Sequence, residues 1–115
     1  MELGIALPHT GAHARLTEAA LGWEGVTAQP HRFGGTKYRF GEKREIGHVH
    51  GDKLLDIPFP TKMRDELVAA RRAEPHLLLS GSGGSSCYLR APEDVERAVD
   101  LLRLSYEITA KRKAR

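Results

Sequence analysis

Residues 44–60 read REIGHVHGDKLLDIPFP, two runs rich in apolar residues on either side of Gly51-Asp52. Leu55, Ile57 and Phe59 recur at every second position, the period of a β-strand. A Gly-Asp pair between two such runs marks a tight reversal, so the stretch predicts an antiparallel hairpin. The pairing of that hairpin decides what its polar residues can do, because a slip of one residue sends every side chain to the opposite face. A two-residue turn sets His50 against Lys53, His48 against Leu55, Ile46 against Ile57 and Gly47 against Asp56. A three-residue turn, Gly51 to Lys53, sets His48 against Asp56 instead. The two-residue turn separates apolar from polar residues more cleanly and is the one expected. It turns Asp56 to the face opposite His48, beside Gly47, where the missing side chain would let a ligand approach the backbone.

Upstream, VTAQPHRFGGTKYRFGEK continues in the same style, with Tyr38 and Phe40 in alternation and glycines between runs. Pro30 belongs at a sheet edge or a bulge, because it has no N–H to give to a ladder. Downstream, PHLLLS and SSCYLR read as two further strands separated by GSGG. Three segments have helical period instead. In HARLTEAALGW, the residues Ala12, Leu16, Ala19 and Trp23 form a stripe, with Thr10 as the N-cap and Gly22 as the stop. In TKMRDELVAARR, Met63, Leu67 and Ala70 form another, capped by Thr61. APEDVERAVDLLRLSYEITAKR is the longest, with Pro92, Glu93 and Asp94 suited to its positive end. The reading is an α+β fold in the order α-β-β-β-α-β-β-α. It has an antiparallel sheet of about five strands with helices packed on one face.

At 115 residues the chain is expected to form a single domain over 1–115, with 1–10 and 111–115 as frayed termini. Its composition, 40% hydrophobic and 29% charged, is that of a globular protein with a core of its own. One cysteine allows no internal disulfide, no run approaches a membrane span, and the N-terminus lacks the pattern of a secretion signal. The expectation is a cytoplasmic protein with no membrane partner. The net charge of +3 comes largely from the terminal KRKAR.

The candidate chemistry lies in the hairpin. The plain reading of His48 is a half-buried ring bonded to backbone; the sharper one is a base with a pKa suited to neutral pH. His50 flanks the turn and is expected to be exposed. Asp56 stands between Leu55 and Ile57, so its carboxylate must be satisfied or face a cavity. His48, His50 and Asp56 also make a two-histidine, one-carboxylate set of the kind that suits non-haem iron. The expectation is nonetheless no metal and no cofactor, since nothing here has the specificity of a Cys-x-x-Cys pair. Cys87, in mid-strand, reads as a small buried thiol. GSGGSS lacks the lysine and following helix of a phosphate loop.

The strings GHVHGDKLLDIPFP, AEPHLLLSGSG and APEDVERAVDLLRLSYEI resemble the luciferase-domain family, small bacterial proteins that are grouped with the fungal luciferases. The resemblance runs from about Trp23 to Ile108. It implies oxidation of a hydroxypyrone-type molecule by dioxygen without a tightly held redox cofactor, and it carries Glu45, His48, His50, Asp56 and His76 over as site residues. Where the family pattern has tryptophan and phenylalanine, this chain has Gly84 and Cys87, which implies a wider, more polar pocket.

The resulting expectation is a small-molecule-binding protein and, if an enzyme, an oxidoreductase acting on a hydroxylated or enolic substrate. His48 or His76 would be the base and Asp56 its orienting partner, with Asp56 and His76 within a side-chain length of each other. The alternative is a non-enzymatic module that binds nucleic acid or a protein through the open sheet face or the basic C-terminal helix, with Arg103, Lys111, Arg112, Lys113 and Arg115 on phosphates.

Overall fold

A computed structural model describes residues 11–30, 35–42, 44–59, 61–70, 74–75 and 85–113. The elements are α1 (Ala12–Leu21), β1 (Val26–Pro30), β2 (Thr36–Phe40), β3 (Arg44–His50), β4 (Leu54–Ile57), α2 (Thr61–Ala69), β5 (Glu74–Pro75), β6 (Ser85–Tyr88) and α3 (Pro92–Lys113). The strands form one antiparallel sheet in the order β1-β2-β3-β4-β6-β5. This is the expected α+β architecture, with five strands of four residues or more and a two-residue β5. The strand expected in PHLLLS lies, past its first residue, outside the described residues, as do His76 and Gly84.

Residues face the helices at alternate strand positions, with one break in β3, where the adjacent Ile46 and Gly47 are both buried. Tyr38, Val49, Leu55, Ile57 and Cys87 meet Leu16 and Ala20 of α1 and Ala98, Leu101 and Leu102 of α3 in one buried cluster. The buried stripe of α1 passes through Ala20 rather than the expected Ala19, and Ala70 of the second stripe is exposed. Cys87 is buried in this cluster, opposite Leu55. A phenylalanine at its position would therefore enlarge the core, not wall a pocket on the other face. Gly47 also faces inward. A Cβ there would lie 2.7 Å from Leu102 Cδ1, so the space beside Gly47 is filled by α3, not kept for a ligand.

The helix ends are fixed by polar contacts. Asp94 Oδ2 accepts the N–H groups of Arg90 and Ala91 at 3.0 Å each, the backward half of a capping box at the start of α3. At α1 the N-cap is Gly11, one residue later than expected, with φ of 92° and no side chain to offer. The missing acceptor comes from far along the chain: Asp52 Oδ1 takes the His13 N–H at 2.8 Å. Pro30 ends β1, the edge strand, as expected. α3 runs through Lys113.

Candidate functional site

The β3–β4 turn has three residues. The register pairs His48 with Asp56, Val49 with Leu55 and His50 with Leu54, which overturns the expected two-residue turn. Local pattern favoured the shorter loop; tertiary contacts decide for the longer one. Gly51, at φ of 55°, opens a turn closed by the Lys53 N–H on the His50 carbonyl at 3.0 Å. Asp52 is drawn to the end of α1, and the Lys53 carbonyl accepts the Leu89 N–H at 2.9 Å. The extra residue turns Asp56 onto the same face as His48 and His50, away from α1 and α3.

Across adjacent strands, Lys37, His48, Asp56 and Ser86 then stand side by side. Glu45 joins them by a different route. Three residues from His48, it would lie on the opposite face of a regular strand. Between β2 and β3, however, Tyr38 pairs with Gly47 and Arg39 with Glu45, leaving Ile46 as the extra residue of a β-bulge. The bulge returns Glu45 to the His48 face. Ile46 stays in the core, and Ser105 of α3 donates its hydroxyl to the Ile46 carbonyl at 2.8 Å.

The polar groups form a connected set. His48 Nδ1 meets Glu45 Oε2 at 2.7 Å and His48 Nε2 meets Asp56 Oδ2 at 3.3 Å. His50 Nε2 donates to the same Asp56 Oδ2 at 2.8 Å. The other carboxylate oxygen, Asp56 Oδ1, accepts the Ser86 hydroxyl at 2.7 Å. The two imidazoles lie edge to face with centroids 4.8 Å apart. Asp56 is only 3% exposed and Ser86 is buried, while both histidines are half-buried. Burial of a carboxylate is costly unless its lone pairs are used, and His48, His50 and Ser86 are the partners that use them among the described residues.

With a carboxylate at each ring nitrogen, His48 holds its proton strongly. Its pKa is raised to about 9, first by the hydrogen bond to Asp56 and then by that to Glu45, with partial burial acting in the other direction. In this state His48 is an imidazolium at neutral pH. One ligand atom each from His48, His50 and Asp56 lies within 4.8 Å of the others, close enough for one metal ion.

The structure thus brings together Glu45, His48, His50 and Asp56, and adds Ser86, which sequence reasoning missed. The signal for Ser86 was the pairing of SSCY with LLDI, which neither run declares alone. His50 is not the exposed turn residue expected. The approach of Asp56 to His76 concerns a residue outside those described. Arg103, expected on phosphates, pairs with Glu107 at 3.0 Å and stacks over Trp23 and Tyr106. Among the described residues no helix is long and apolar enough to cross a membrane.

Neither a curated protein nor a solved structure matched the chain. A family model did: that of the Luciferase domain matches residues 43–105, from the start of β3 into the second half of α3, and every residue of the set around Asp56 lies within it. The match spans more than half of the sequence, and the chain belongs to the Luciferase domain family.

Proposed function

We propose that the protein binds a small hydroxylated or enolic molecule over the outer face of β3 and β4 and acts on it by proton transfer, opening it to oxidation by dioxygen. The observation that carries this reading is the buried Asp56 carboxylate, shared by two half-buried imidazoles and a serine hydroxyl. A buried carboxylate in contact with accessible titratable side chains is a candidate for chemistry. The side chain of His50 is 33% exposed against 20% for His48, so His50 is the ring that a substrate reaches first.

In this reading the hydroxyl proton of the substrate passes to His50. Asp56 fixes the imidazole's orientation and stabilises the cation that forms, while Ser86 holds Asp56 in place. The enolate left behind is the electron-rich species that dioxygen can oxidise. The protein's own part is to bind, orient and deprotonate. The family membership supports the substrate class.

Oxygen uptake measured across a panel of hydroxypyrones and phenols tests this. Wild type should consume oxygen with at least one member, and His50→Ala and Asp56→Asn should each lose about 100-fold or more of that rate, the usual scale of a positioned acid–base group. Equal background rates in all three proteins would rule the reading out.

A further inference from the structure

We propose that His48, His50 and Asp56 form a binding site for one divalent first-row transition-metal ion, with Glu45 and Ser86 holding two of the ligands in place. The proposal rests on the site of the proposed function but not on turnover. Three observations carry it.

The first is convergence. Asp56 Oδ2 lies 3.3 Å from His48 Nε2 and 2.8 Å from His50 Nε2, and the three ligand atoms all fall within 4.8 Å of one another. An ion bonded at about 2.1 Å to each of three atoms at tetrahedral or octahedral angles spaces neighbouring atoms about 3.0–3.4 Å apart. The His48–Asp56 separation already has that scale, and the His50–Asp56 separation is slightly shorter.

The second is the outer support. A histidine ligand commonly gives its remaining ring N–H to a carboxylate, which fixes the tautomer and the ring's direction. His48 Nδ1 is 2.7 Å from Glu45 Oε2, with Nε2 turned to the point of convergence. Asp56 divides in the same way, Oδ1 held by the Ser86 hydroxyl and Oδ2 directed inward. The Ile46 bulge makes the first of these contacts possible by placing Glu45 on the His48 face.

The third is the donor set. Two imidazoles and one carboxylate suit zinc, iron, cobalt or nickel, whereas calcium and magnesium prefer oxygen alone. The described residues offer three ligands, fewer than the four of a closed structural site. Lys37, the cation beside His48, sits on β2, on the far side of β3 from Asp56. An ion here would take the place of His50 in acidifying a bound substrate hydroxyl, because His50 and Asp56 would then be ligands and no longer a base and its partner.

Cobalt(II) titrated into chelator-treated, full-length protein tests the site. One equivalent should bind, with visible d–d absorption, and zinc should displace it. His48→Ala, His50→Ala and Asp56→Asn should each weaken binding at least 100-fold. Glu45→Gln, which keeps all three ligands, should weaken it about 10- to 100-fold. Wild-type protein that takes up no cobalt overturns the proposal whatever the variants do, as does unchanged affinity in a folded His48→Ala/His50→Ala double variant. Oxygen uptake by chelator-treated protein that also takes up no cobalt overturns the site and leaves the proposed function standing. Stoichiometric cobalt binding without oxygen uptake upholds the site and defeats only the substrate reading.

Discussion

His48 donates from both ring nitrogens to carboxylates, and this shapes how the protein responds to pH. Its folded pKa of about 9 lies above the unfolded value near 6.5. The folded state therefore holds the proton more tightly. The resulting stabilisation is complete below about pH 6.5 and is lost as pH rises through about 9. A shift of this size corresponds to about 3 kcal/mol at most, reduced in practice because the ring is partly in contact with solvent. In the presence of chelator, the His48 ring resonances should titrate with a midpoint near 9, and the thermal midpoint should fall between pH 6.5 and 9. Glu45→Gln should move the resonance midpoint downward. A His48 midpoint near 6.5 in the wild type would contradict the double carboxylate contact. Of this set, Asp56 was readable from the sequence, as a charge inside an apolar run. Glu45 came only with the family resemblance. Ser86 was hidden, because its role depends on a strand pairing across 30 residues of chain.

Among the elements, the three-residue turn decides the site. The alternation of residues 44–60 announced a hairpin and located its reversal, yet it favoured the wrong pairing. The contacts that select the longer loop, Asp52 on α1 and Lys53 on Leu89, are tertiary and cannot be read from the hairpin itself. The bulge left a trace: Ile46 and Val49 are both buried although three positions apart, a spacing that an unbroken strand would place on opposite faces. Asp52 now has a measurable role as a cap supplied from a distance. Asp52→Ala should destabilise the protein by about 1 kcal/mol, the usual cost of removing a helix N-cap acceptor. Urea unfolding followed by circular dichroism checks this. No change in midpoint would mean that the His13 N–H is satisfied in another way.

For the molecule as a whole, the α+β architecture was visible from the order of periodic segments, since amphipathic helices and half-buried strands have different periods. What lay beyond reach was which elements close on one another. The hydrogen bond from His13 to Asp52 joins α1, which precedes the family match, to the hairpin tip within it. Leu16 and Ala20 lie in the same buried cluster as Leu55 and Leu102, so the two parts also share a core. The segment by which the family is recognised is therefore smaller than the segment that shares one core. Native-state hydrogen exchange makes the difference measurable. The amides of α1 and of β3 and β4 should exchange through a common opening, with similar free energies and the same denaturant dependence. If α1 instead exchanged independently, at a much lower free energy, it would be an accessory laid on a finished domain. The contacts from Asp52 and Leu16 argue that inheritance and cooperativity draw the boundary in different places.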